Sequence, residues 1–87
     1  MKICGILIED NIKEKILYKH NVHALEIKDV LFNNPHILKI KENRYMAIGR
    51  NHQFLTIVLE IKKEIAFILT AYPSSDAQRK LYKSKRR

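Results

Sequence analysis

What the chain has little of narrows the field first. A single cysteine, Cys4, excludes an internal disulfide and any zinc site built on paired thiolates. It lies in the apolar run Ile3-Cys4-Gly5-Ile6-Leu7-Ile8, so a buried structural thiol is expected rather than a nucleophile. Two glycines and two prolines beside an apolar content of 46% exclude a disordered or low-complexity chain. With so little glycine there is no phosphate-cradling loop, and no serine, histidine and acid set has a familiar local context. No apolar run approaches the roughly 18 residues that a membrane span needs. The opening apolar stretch is too short for a secretory leader and is closed by Glu9 and Asp10, so a cytoplasmic protein without membrane contact is expected.

Acid is scarce at one end. All nine Asp and Glu fall within residues 1–78, where eleven Lys and Arg leave a balance of +2. Residues 79–87, RKLYKSKRR, hold six bases and no acid, and so carry most of the net charge of +8. Such a cluster suits a polyphosphate backbone, because each base near a phosphate releases counterions on binding. Arg79, Lys80, Tyr82 and Lys83 are therefore candidate RNA-binding residues; the plainer reading is a solvated tail.

At 87 residues one modest core is affordable, and residues 1–87 are taken as one domain. The Ile3–Ile8 run predicts a first strand. From Asp10, read as an N-cap, the stripe Ile12, Ile16 and Leu17 predicts a helix over about 11–20 that Asn21 closes in the left-handed conformation. Leu25, Ile27, Val30 and Leu31 predict a second helix over about 24–33, stopped by Asn33-Asn34-Pro35. Four strands follow, His36–Lys41, Arg44–Gly49, Phe54–Ile61 and Ile65–Tyr72, joined by connections short enough to force antiparallel neighbours. In the third of these, Leu55, Ile57, Leu59 and Ile61 should face the core, with Thr56 and Glu60 on the other side. Pro73 ends the last strand, and Ser75 with Gln78 has the form of a capping box opening a final helix with Ala77, Leu81 and Tyr82 as its apolar register. The result is an α+β domain, with helices on one face of a mostly antiparallel four- to five-stranded meander sheet.

The histidines His20 and His23 straddle a helix junction, which disfavours a shared metal, and neither a metal nor a cofactor is expected. What remains is a set of imidazoles, cations and phenols without a carboxylate pair. That set suits metal-independent RNA cleavage, in which a base takes the ribose 2′-hydroxyl proton, a cation stabilises the charged phosphorane and an acid protonates the leaving oxygen. An imidazole can serve in either proton role. The candidate catalytic residues are His20, Arg44, Arg50, Lys19 and Tyr72, followed by Arg79 and Tyr82. The bland alternatives are a helix-end histidine, strand-end surface bases and packing tyrosines.

Lys19-His20-Asn21-Val22, a helix ending Val30-Leu31-Phe32, and Arg44-Tyr45-Met46-Ala47-Ile48-Gly49-Arg50 together resemble the BrnT family of bacterial toxins, over about residues 8–84. That family shows a Lys-His-Gly-Val segment between two helices, a strand running from an Arg to Ile-Gly-Arg, two further strands, and a helix with a Glu-Arg and Tyr pattern. The resemblance implies a RelE-like ribonuclease fold, toxin activity on RNA, and a small antitoxin partner. By position it carries over Lys19, His20, Arg44, Arg50 and Tyr82. Two positions depart from the pattern. Asn21 replaces a glycine, which is mild because Asn also tolerates the left-handed conformation. Thr70-Ala71-Tyr72-Pro73 stands where the family has Ser-Ala-Arg, and is similar to strand ends in the wider barnase, colicin and RelE group. A non-catalytic RNA- or protein-binding module on the same fold is the alternative that this loss of an Arg supports.

Overall fold

A computed structural model describes residues 3–85, and Arg86 and Arg87 of the basic segment lie outside the described residues. The elements are β1 (Gly5–Leu7), α1 (Asp10–His20), α2 (Ala24–Phe32), β2 (His36–Lys41), β3 (Arg44–Arg50), β4 (Phe54–Lys62), β5 (Ile65–Pro73) and α3 (Asp76–Lys85). The sheet runs β1-β5-β4-β3-β2, with β2 to β5 an antiparallel meander and β1 parallel to β5 at the edge. Two of the hairpin turns use positive φ without glycine, at Asn43 and at Lys63-Glu64. The Cys4 amide clamps the second by donating to the Glu64 carbonyl.

The predicted alternation in β4 holds. Leu55, Ile57 and Leu59 are fully buried, and Ile16, Val22, Ile27, Val30 and Leu31 of the α1–α2 unit close over them. Burying side chains of this size contributes roughly 1.5–3 kcal/mol each, so this face is where the fold is held. The helices can come close because the strands beneath them present small residues: Ala47, Gly49 and Ala71 are all buried. A Cβ at Gly49 would lie 2.7 Å from Val30 Cγ1 and 3.3 Å from the Pro35 ring, neither of which can swing away. Gly49→Ala is therefore expected to cost about 1–3 kcal/mol by overpacking, read as a lowered denaturant midpoint with unchanged slope.

On β5 the strict alternation breaks. Val58 pairs with Thr70 and Leu59 with Ile68, so Leu69 is a bulge. The extra residue keeps Ala66, Ile68 and Ala71 on the core face and turns Thr70 and Tyr72 to the opposite one. Without it Tyr72 would point into the core.

Five sequence-based expectations need correction. Leu17 and Leu25, read into the apolar stripes of α1 and α2, are exposed, and Ile16, Ile27, Val30 and Leu31 carry the packing of those helices. Cys4 is exposed, because β1 is only a three-residue edge strand beginning after it. The N-cap of α1 is Glu9, without a side-chain hydrogen bond, and Asp10 is instead the first helical residue, where its charge complements the helix dipole. Ala77 is exposed, and α3 docks through Gln78, Leu81 and Tyr82. Finally, the helices do not share a face. Gln78 bonds to Thr56, Met46 and Tyr72, all on the side opposite Leu55 and Ile57, so α3 covers the second face of the sheet. Other details follow expectation: Asn21, at φ 54°, closes α1 with its N–H on the Leu17 carbonyl, and Ser75 and Gln78 exchange the two hydrogen bonds of a capping box.

Candidate active site

Where α3 meets the second face, one buried polar chain has a determined direction. Thr56 is fully buried, and its Oγ1 lies 2.9 Å from Gln78 Oε1 and 2.7 Å from Ser74 Oγ. The Ser75 amide can only donate, and it meets Gln78 Oε1 at 2.9 Å, which fixes that atom as the carbonyl oxygen. Thr56 must then donate to Oε1, and Ser74 to Thr56. The Gln78 Nε2 end is left to donate to Tyr72 Oη at 3.2 Å, with Met46 Sδ at 3.7 Å. Because Tyr72 Oη accepts from Gln78, its own proton points to another partner.

That phenol lies beside His20. Strand β1 pairs β5 only as far as Leu7↔Phe67, so the second half of β5 is flanked by α1 instead. A pocket of about 190 Å³ opens between them, lined by Ile12, Lys15, Lys19, His20 and Thr70 among others. At the end of α1 the His20 ring lies 6.1 Å from the Tyr72 ring, inclined at 52°. Ile16 and Val22, both buried, anchor the chain on either side of Lys19 and His20.

The other candidates divide into a second group and single residues. The Arg50 guanidinium sits over the Phe54 ring at 5.2 Å, the Lys83 ammonium is 5.6 Å from the same ring, and Tyr82 meets its edge at 5.5 Å. Arg44 lies four residues before Ile48, the residue level with Thr56 and Tyr72, and is therefore roughly 13 Å away along the strand. Its Nη2 donates to Glu60 Oε2 at 2.9 Å. Arg79 is paired with Asp76 on its own helix, and Lys80 is exposed on α3. His23 is the N-cap of α2, its backbone N–H on Glu26 Oε1. Among the described residues no three His, Cys, Asp or Glu side chains form a metal-holding group, and no helix is long and apolar enough to cross a membrane.

The structure thus brings together His20 and Tyr72, with Lys19 lining the same pocket as His20, and separately Arg50, Tyr82 and Lys83, while Arg44 and Arg79 are each held by a carboxylate. Sequence reasoning gave Gln78 only a capping role, and passed over Thr56 and Phe54 as strand residues. Phe54 could have been found, since it shares the face of Thr56 and is the cross-strand partner of Arg50.

The hydrogen bond from Arg44, and then its charge, hold the Glu60 carboxyl below its ordinary range. A depressed carboxylate stabilises the fold above its unfolded pKa, and that contribution disappears as pH falls through the folded value. Melting curves against pH should therefore show Glu60→Gln below wild type at neutral pH and the two converging in acid. Parallel curves would mean that the pair does not contribute to stability.

No protein-family model and no curated protein sequence matches the chain. Among solved structures, the crystal structure of the Brucella abortus ribonuclease toxin BrnT superposes with a TM-score of 0.67 at 17% identity, covering 83% of this chain and 97% of that one. The chain has the BrnT fold. On the BrnT fold, then, the ends of α1 and β5 place an imidazole and a phenol side by side, with α3 roofing the adjacent sheet face.

Proposed function

We propose that this protein is an endoribonuclease toxin of a toxin–antitoxin pair, cleaving RNA without a metal by attack of the ribose 2′-hydroxyl. The observation that carries the reading is the His20–Tyr72 juxtaposition, with the Tyr72 proton directed away from Gln78, on a fold shared with a ribonuclease toxin. His20 takes the 2′-hydroxyl proton as O2′ bonds to phosphorus. Tyr72 donates to the departing O5′, leaving a 2′,3′-cyclic phosphate and a 5′-hydroxyl. Lys19, next to His20 in the same pocket, supplies positive charge for the phosphorane, and Arg50, at the end of β3 across β4, adds charge from farther along the RNA path. Arg79, Lys80, Tyr82 and Lys83 on α3 hold the RNA backbone, and Arg44, tied to Glu60, shapes the outer part of the same face. A small antitoxin would silence the activity.

The alternative, a binding module without chemistry, has one specific support: Tyr72 occupies the position where the resembling family carries an Arg. Growth separates the two. Expression alone should arrest cells, and purified protein should cut free or ribosome-bound RNA in the presence of a chelator, giving cyclic-phosphate ends. RNA bound but uncut under both conditions, with normal growth, would favour the binding module.

A further inference from the structure

The second cluster differs from the other cations in a way that points to its ligand. Arg44 and Arg79 are each paired with a carboxylate and several lysines stand alone, whereas Arg50 and Lys83, both exposed and without an ion pair among the described residues, are the described cations that lie over an aromatic ring, and both lie over the same one, Phe54. The ring itself is half-buried, and Tyr82 braces it edge-on from α3. Phe54 opens β4 on the face of Thr56, whose cross-strand partner is Tyr72. Phe54 and Tyr72 are thus diagonal neighbours, separated by about 7–8 Å on the sheet surface.

We infer that Phe54, with Arg50 and Lys83, is a stacking subsite for one unpaired nucleobase of the RNA, adjacent to the phosphate held between His20 and Tyr72. The inference rests on the RNA-cleaving reading above and adds what lies next to the scissile bond. An aromatic face accepts any base, and a guanidinium lying over a ring keeps its outer plane for a second stacking partner. A compact ammonium such as Lys83 is suited to the flanking phosphate. Stacking of this kind is read without hydrogen bonds to base edges, so the subsite would fix the position of the chain more than its sequence.

The chain contains no tryptophan, so Phe54→Trp would place a single indole reporter at the subsite. Titration with a short 2′-O-methyl oligouridylate, which cannot be cleaved because its 2′-oxygens are blocked, should quench that emission, while inorganic polyphosphate should not. Phe54→Leu should weaken binding of the oligonucleotide about tenfold, the scale of one lost stacking contact, and leave polyphosphate binding unchanged. Equal oligonucleotide affinity of Phe54→Leu and wild type, or equal quenching by polyphosphate, would overturn the subsite. If Phe54→Leu does not fold, the quenching comparison decides alone. Since the probe cannot be cut, failure of the cleavage chemistry leaves this result readable, and loss of the subsite leaves the cleavage reading standing.

Discussion

Replacing His20 with Ala should lower the rate of RNA cleavage by about 10²–10⁴-fold, the contribution of a positioned proton-transfer group, and abolish growth arrest on expression. The fold should survive. The end of α1 is closed by the Asn21 backbone rather than by the His20 side chain, and the buried Ile16 and Val22 pin the segment from both sides. Ala is also a better helix former than His, offsetting part of the lost contact with Tyr72. The thermal midpoint should therefore move little while activity collapses. Cleavage by His20→Ala at the wild-type rate would remove the imidazole from the chemistry; a protein that binds RNA but cuts none, before or after the substitution, would be the binding module. Lys19→Ala serves as a graded companion, because loss of a neighbouring charge weakens phosphorane stabilisation without removing a proton carrier.

Much of the fold was legible because local signals agreed with the tertiary result. The odd positions of β4 are apolar and all face the core, Asn21 and Pro35 stop helices where the chain turns, and the short connections allow only a meander. What escaped depends on contacts that no local pattern encodes. The Leu69 bulge resets the facing of β5, and an uninterrupted apolar run gives no sign of where the reset falls. The placement of α3 on the second face follows from one Gln reaching a buried Thr, whereas its sparse apolar residues would fit either side. In the candidate site, Lys19 and His20 were readable at the helix junction, and Tyr72 at the end of its strand. Arg44 and Arg50 share a face by period two, yet they are the two ends of a seven-residue strand, roughly 20 Å apart, and cannot both reach one phosphate through short contacts. Strand length, counted from the sequence, would have been enough to separate them.

The sharpest test of how the site is set concerns a residue that touches no substrate in the mechanism. Gln78→Glu keeps an oxygen for the Ser75 amide and for the Thr56 hydroxyl, so the capping box and the buried end of the network stay satisfied. A carboxylate cannot donate, however, and Tyr72 Oη loses the N–H it now accepts. The phenol would turn its own proton inward to the new acceptor, and the proton aimed at the leaving oxygen would be withdrawn. Cleavage is expected to fall by about 10²-fold, mainly in kcat, approaching the loss expected for Tyr72→Phe, with RNA affinity within a few-fold of wild type. The double variant Gln78→Glu/Tyr72→Phe should then be little slower than either single one, since both act on the same proton. If Gln78 served only as a helix cap, Gln78→Glu would cleave like wild type, because the cap is retained; Gln78→Leu, which discards both functions, should lose stability as well as activity. A network that merely held α3 in place would show losses tracking stability across all three substitutions, whereas a directional one separates them.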